Sequence, residues 1–269
     1  MDEKMDEELT FLVKKFKEDT GGYEQINVPD DTEEKRRVLR ALMNVRRPKN
    51  LPDSVLEIQD EYLKNRAEEK GVVTLDEIPI IKDKISIYQG DITRLSVDAI
   101  VNAANSQMLG CFVPLHNCID NCIHSFAGVQ LRLECARKMN KLRDKYGENY
   151  EQPTAIPMLT NAYNLPSKKV IHIVGPIVYR HLTKKSEEEL ANCYKNTLNM
   201  CLKNNIKSVA FCCISTGVFN FPHELAAEIA VTAVNAWLQE NPIHHENIDR
   251  IIFNVFKDED LEIYEKLLG

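Results

Sequence analysis

The sequence predicts an α/β fold: a three-layer α/β/α sandwich around a mixed, mostly parallel sheet, preceded by a helical extension. Three observations carry this expectation. From about residue 80 onward, short β-branched runs alternate with longer helical patterns, as they do where strands are joined by covering helices. Those runs are almost continuously apolar, which suits strands buried on both faces. Residues 1–70 differ in texture: they are charge-dense, nearly free of β-branched runs, and punctuated by Gly21-Gly22, Pro29, Pro48 and Pro52.

The N-terminal part reads as three helices. Asp31-Thr32-Glu33-Glu34 has capping-box spacing and opens a helix over about 32–46, since the Asp side chain can accept the amide proton three residues on and the Glu can reach back. Within it Val38, Leu39, Leu42 and Met43 repeat at helical spacing, and Val55, Ile58 and Tyr62 do so in the next helix. Each helix therefore has a face to bury. The expected division is a helical extension at 1–72 docked on a main domain at 73–269, the texture changing between Gly71 and Pro79. A separate partner-binding module is the alternative reading of the extension.

Strands follow at KISIYQGDIT (84–93), VDAIVNAAN (97–105), KVIHIVGP (169–176), KSVAFCCIS (207–215) and RIIFNVF (250–256). Helical patterns cover about 186–204 and 222–239. The second carries Leu225, Ala226, Ile229, Ala230, Ala233, Val234, Trp237 and Leu238 on one side, with Pro222 suited to its first turn. There is no internal repeat and no low-complexity tract.

Composition excludes some functions. With 269 residues, 43% apolar and 28% charged, the chain can bury a sizeable core and is not of disordered or fibrous type. A net charge of −7 argues against an electrostatic grip on nucleic acid. The opening residues, MDEKMDEELTFLVKKFKEDT, are acidic and do not have the form of a signal peptide. No run approaches the roughly 18 apolar residues of a membrane-spanning helix. A cytoplasmic protein without a membrane partner is expected. Eight cysteines in such a protein are thiols, metal ligands or catalytic groups rather than a disulfide framework.

In open α/β sheets, ligands bind outside the carboxyl ends of the strands. The loops there are Gly90-Asp91-Ile92-Thr93, Asn102-Ala103-Ala104-Asn105, Gly175-Pro176 and Ser215-Thr216-Gly217-Val218-Phe219. Ser-Thr-Gly between strand and helix offers backbone amides and hydroxyls to an anion, so an acidic protein can still bind a nucleotide. Asp91 can accept a hydrogen bond from an exocyclic amine, and Phe219 or Phe221 can flank a ribose or base.

Taken in order, Gly90-Asp91-Ile92-Thr93, Val101-Asn102-Ala103-Ala104-Asn105, Ile119-Asp120-Asn121 with Ile123-His124 and Ala127-Gly128, His172-Ile173-Val174-Gly175-Pro176, and Ile214-Ser215-Thr216-Gly217-Val218-Phe219 with Pro222 resemble the macrodomain family. The resemblance covers about residues 84–268 and leaves out the extension. It implies an ADP-ribose pocket, with Gly90, Asp91 and Ile92 at the adenine, the Ser215–Phe219 loop and the Val174–Pro176 turn with Gly175 around the diphosphate, and Asn102 and Asn105 near the distal ribose.

The departure from the family pattern lies at Gly110-Cys111-Phe112-Val113-Pro114-Leu115-His116-Asn117-Cys118, where a glycine-rich loop is usual. Cys111, His116 and Cys118 give a C-x4-H-x-C spacing similar to that of the zinc-dependent macrodomain subgroup, which also carries an N-terminal helical extension. Two thiolates and one imidazole suit Zn2+ and leave a fourth tetrahedral position for water or substrate. The alternatives are a closed structural site completed by Cys122, or cysteines that merely pack. His124 is expected to face the core as a satisfied structural histidine. Cys135, Cys193, Cys201, Cys212 and Cys213 read as packing residues in helices or a strand, and His244-His245 as a solvated pair in a polar connection.

The resemblance implies a zinc-dependent protein-ADP-ribose hydrolase that removes mono-ADP-ribose from protein side chains, with Asp or Glu esters as the expected linkage. Asp120 would orient the ribose or water and Asn105 would hold the distal hydroxyls. The expected partners are an ADP-ribosylated protein, with a lipoyl-carrier protein as a candidate, and a sirtuin-like transferase that writes the mark. A non-catalytic ADP-ribose reader with structural zinc and an O-acetyl-ADP-ribose deacetylase are the alternatives.

Overall fold

The computed structural model describes residues 3–240 and 242–269, so Met1 and Asp2 of the expected extension lie outside the described residues. The chain begins with three helices, α1 (Glu3–Thr20), α2 (Thr32–Val45) and α3 (Asp53–Lys70). Asp31 caps α2 by accepting from the Glu34 amide at 2.9 Å. Leu9, Leu12, Val13 and Phe16 of α1 meet Leu39, Leu42 and Met43 of α2 and Val55, Tyr62 and Leu63 of α3 in one apolar cluster. Val38 and Ile58 only flank it. Val129 belongs to the same cluster although it comes from much later in the chain, so the three helices are seated on the rest of the molecule.

The remaining elements are β1 (Val73–Thr74), β2 (Ile85–Gln89), β3 (Leu95–Ser96), β4 (Ala99–Ala104), α4 (Ile119–Ala127), α5 (Val129–Tyr146), β5 (Met158–Asn161), β6 (Lys169–Val174), α6 (Lys184–Lys203), β7 (Ser208–Phe211), α7 (His223–Glu240), α8 (Pro242–Asn247), β8 (Arg250–Val255) and α9 (Asp258–Leu268). Strands β1 and β3 form a short parallel pair. The main sheet has the order β2-β8-β7-β4-β6-β5. Its pairings are parallel except β5 with β6, so the sheet is mixed and mostly parallel. Helices α4 and α5 pack together on β4 and β5, while α6, α7 and α9 form a second packed group against β6, β2 and β8. Among the described residues, no helix is long and apolar enough to cross a membrane.

Several details differ from the sequence expectation. The antiparallel edge strand β5 and the closing helix α9 are additional to the elements that the sequence predicts. Pro222 sits just before α7 rather than in its first turn, where its carbonyl accepts from the Ala226 amide at 2.9 Å. His244 and His245 are not a merely solvated pair. They lie in α8, where His244 stacks on Trp237 at 4.2 Å and its Nδ1 lies 2.8 Å from the Trp237 carbonyl oxygen, and His245 pairs with Asp83 at 2.7 Å. Cys212 and Cys213 follow β7 instead of lying in it.

Because five neighbouring strands run parallel, the loops after Gln89, Ala104, Val174 and Phe211 all leave one edge of the sheet. Strands β4 and β7 are neighbours, yet the chain leaves β4 toward β6 and β5 and leaves β7 toward β8. Connections that part in opposite directions open a crevice between them. The loops bearing Asn105 and Ser215 flank it.

The extension core is tested by Phe16→Ala, which empties a fully buried position. It is expected to lower stability by about 3–5 kcal/mol in a urea titration.

Candidate functional site

Asp120 lies in the first turn of α4 and is buried. Its carboxylate accepts from Asn102 Nδ2 at 2.7 Å and from Asn105 Nδ2 at 3.4 Å. Asn105 also donates to the Gly110 carbonyl at 3.3 Å and accepts from the Gln107 amide at 3.0 Å, which fixes its amide orientation. Burial pushes the Asp120 carboxyl up to about 6, against the opposing pull of the Asn102 donor and the Arg132 charge.

Asn102 is fully buried on β4, and it supports the Asp120 carboxylate. Its Nδ2 also lies 3.0 Å from His172 Nδ1, and His172 Nε2 lies 2.9 Å from Thr160 Oγ1. Thr160 in turn donates to the Val170 carbonyl at 3.4 Å. One tautomer satisfies this chain: Nδ1 accepts from Asn102 and Nε2–H donates to Thr160. Burial holds His172 neutral by pushing its pKa down to about 3.

Cys111, His116 and Cys118 present ligand atoms that lie within 4.8 Å of one another, with Cys111 Sγ 3.7 Å from His116 Nδ1. Two sulfurs and one nitrogen at this separation fit a zinc ion. Cys118 is also the N-cap of α4, its Sγ accepting from the Asn121 amide at 3.4 Å. A helix N-terminus favours a thiolate, but burial is the larger influence and pushes the thiol up to about 12. A metal must therefore displace its proton. Cys122 stands outside this group, and its Sγ is 3.6 Å from Arg40 Nη2.

The Ser215–Phe219 loop is tight. Ser215 has φ 67° and Asn220 has φ 55°, and the loop closes through Phe221 N to Ser215 O and Asn220 N to Gly217 O at 3.0 Å each. Neither bond uses the amides of Thr216 to Phe219. Val218 is exposed, and Thr216 Oγ1 donates to the Cys213 carbonyl at 3.2 Å. Gly175 permits the close approach of this loop, because a Cβ there would stand 2.1 Å from Ser215 Oγ.

At the far end of the edge, Asp91 Oδ1 accepts from Thr93 N at 2.9 Å and Thr93 Oγ1 at 2.6 Å, capping the turn that follows Gly90. Its Oδ2 lies 3.5 Å from Lys70 Nζ, which also stands 3.3 Å over the Phe126 ring. The Ile92 side chain is buried in the core, so only its backbone can face a ligand.

His124 faces the core as expected but is not satisfied: neither ring nitrogen has a hydrogen-bond partner among the described residues. Its ring is pressed against Gly110, where a Cβ would come within 2.8 Å, and burial holds it well below the ordinary histidine pKa. Cys135 is buried but does more than pack, since its Sγ lies 3.7 Å from His172 Nε2. Asn121 and His172 enter the sequence pattern only as motif residues with no assigned role, and Arg132 and Thr160 do not enter it. Only Asn121 gave a local signal, as the third residue after a capping Cys118. The others meet the site through contacts remote in sequence.

The sequence pattern of the Macro domain family matches residues 101–230. The chain is 44% identical over 267 residues to a protein-ADP-ribose hydrolase of Treponema medium, covering 98% of each chain. It is 39% identical over 262 residues to a protein-ADP-ribose hydrolase of Staphylococcus aureus strain Mu50, covering 97% of this chain and 95% of that protein. Among solved structures, the Trypanosoma brucei macrodomain in complex with ADP-ribose aligns with a TM-score of 0.64 at 28% identity, covering 86% of this chain and 95% of that one.

Gly110 has φ 79° and rests on the His124 ring. Gly110→Ala is expected to cost about 1–3 kcal/mol, because both the backbone and the contact are strained. In a His124→Ala background the same change should cost measurably less in denaturant titrations.

Proposed function

The chain belongs to the Macro domain family, and from that membership we propose a zinc-assisted route by which it removes mono-ADP-ribose from carboxylate side chains of proteins. It is an enzyme, a protein-ADP-ribose hydrolase. The finer reading is supported above all by one observation: the Cys111, His116 and Cys118 ligand atoms converge in the loop that leads directly into α4 and Asp120.

In this reading Asp91 accepts a hydrogen bond from the adenine amine through Oδ2, since Oδ1 is committed to Thr93. Gly90 and the Ile92 backbone border the base. The amides of Thr216, Gly217, Val218 and Phe219 donate to the diphosphate, and Gly175 leaves room for the loop that holds it. Asn105 orients the distal ribose hydroxyls. Asp120 orients the ribose or the attacking water, with Asn102 and His172 fixing its carboxylate from behind. A zinc ion held by Cys111, His116 and Cys118 would supply Lewis-acid polarisation of an oxygen. The departing group is a carboxylate of the modified protein, proposed to be an Asp or Glu side chain. The writer of the mark is proposed to be a sirtuin-like transferase and the modified target a lipoyl-carrier protein; the support for both is the family resemblance.

The test is release of free ADP-ribose from a carboxylate-linked mono-ADP-ribosylated protein, before and after chelation, with circular dichroism to follow the fold. Release should vanish with the metal and return on adding zinc. Full release from folded, zinc-free protein would contradict the metal's role, and none in either state would favour a reader. Asp120→Asn should lower kcat about 10²–10⁴-fold at preserved ADP-ribose affinity. Asp91→Ala should instead weaken ADP-ribose binding by about tenfold or more, as read by calorimetry.

A further inference from the structure

The extension reaches the proposed adenine site through Lys70, beside Asp91 Oδ2, and its second helix lies against the loop that carries Cys111, His116 and Cys118. Arg40 and Asn44 are four residues apart on α2 and so share a face. Arg40 Nη2 donates to the His116 carbonyl at 2.7 Å and to Asn121 Oδ1 at 2.9 Å. Asn44 Oδ1 accepts from the Leu115 amide at 3.0 Å, and its Nδ2 donates to Ser125 Oγ at 2.8 Å. Two consecutive loop residues are thus tied to α2 from outside the main domain. Leu115 needs such a tie, because its φ of 57° is a conformation that a branched side chain seldom adopts.

Asn121 extends the same grip. It is fully buried, and its Nδ2 donates to the Val113 carbonyl at 2.9 Å. Its amide meets Cys118 Sγ at 3.4 Å while its Oδ1 receives Arg40. The guanidinium thus acts on the backbone of one prospective ligand and, through Asn121, on the sulfur of another. Donor atoms converge on an ion only when their supports are fixed, and outer partners of ligands are commonly worth about 10–100-fold in metal affinity.

We propose that α2, through Arg40 and Asn44, is the positioning element of the metal loop, so that the extension sets how tightly the metal is held. This rests on the reading of Cys111, His116 and Cys118 as ligands. Arg40 and Asn44 are positioning residues, since neither belongs to the set of ligand atoms. The adenine and diphosphate ends lie on other loops, and the side-chain hydrogen bonds of Arg40 and Asn44 go to residues 115–125.

The test is a Co2+ titration of the full chain, followed by thiolate-to-cobalt absorption, with chelator competition for Zn2+. ADP-ribose affinity is measured in parallel by calorimetry on the metal-free protein. Arg40→Ala and Asn44→Ala are each expected to weaken metal binding about 10–100-fold, with ADP-ribose affinity changed less than twofold. Arg40→Lys should recover part of the loss, because a single nitrogen makes the Arg40 contacts. Wild-type metal uptake with unchanged affinity in both alanine variants overturns this inference alone. Loss of metal and ADP-ribose affinity together means general loosening and also overturns it. No cobalt absorption in the wild type overturns the metal reading, and this inference with it.

Discussion

The guanidinium of Arg132 is buried and donates to five backbone carbonyls from two parts of the chain. Met43, Asn44 and Arg46 lie at the C-terminal end of α2, whose last carbonyls have no helical partner and carry partial negative charge. Leu109 and Cys111 open the loop that carries Cys111, His116 and Cys118. The same cation lies 4.2 Å from the Phe112 ring centre. Burial lowers its pKa to about 10, with the Asp120 charge pulling the other way, so it stays charged at neutral pH. Its removal would leave several buried carbonyls unpaired at once, and both the seat of the extension and the start of the loop rest on those bonds.

From that joint inward, the site is a set of supports. Loop residues are tied to α2 and α4, α4 carries Asp120, and Asp120 is held from behind by Asn102, His172 and Thr160. Each tie also has a cost that another group offsets. The Asp120 carboxylate is desolvated, and the Asn102 bond and Arg132 charge keep its pKa near 6. That lies close to the range in which a carboxyl can both accept and return a proton. His172 pays no charge penalty because it stays neutral, and as an acceptor at Nδ1 it leaves Asn102 one orientation.

The sheet was legible because its parallel strands must be apolar along their whole length, and the runs at 97–105, 169–176 and 250–256 show that directly. The edge strand β5 has four residues, follows Pro157 and ends on an exposed Asn161, so no alternation could announce it. Helix α5 has a similar problem: Arg132 stands among its buried residues beside Leu131 and Cys135, which blurs the apolar stripe. In the site, the residue types were readable and the contacts were not. Asn102 follows three apolar residues on a strand buried on both faces, so period-two alternation could not say whether it faced the cleft or the core. His124 and His172 approach within 5.7 Å from elements far apart in sequence, and Arg40 meets His116 across 76 positions.

Central to the proposed function is a zinc ion held by Cys111, His116 and Cys118 with a fourth position open to an oxygen. X-ray absorption at the zinc edge of the loaded full chain tests it most directly. The account predicts one zinc per chain with two sulfur and one nitrogen neighbour from protein and a remaining light-atom position that changes when ADP-ribose is added. A shell of three sulfurs and one nitrogen, unaltered by ADP-ribose, would mean a closed structural site and contradict it.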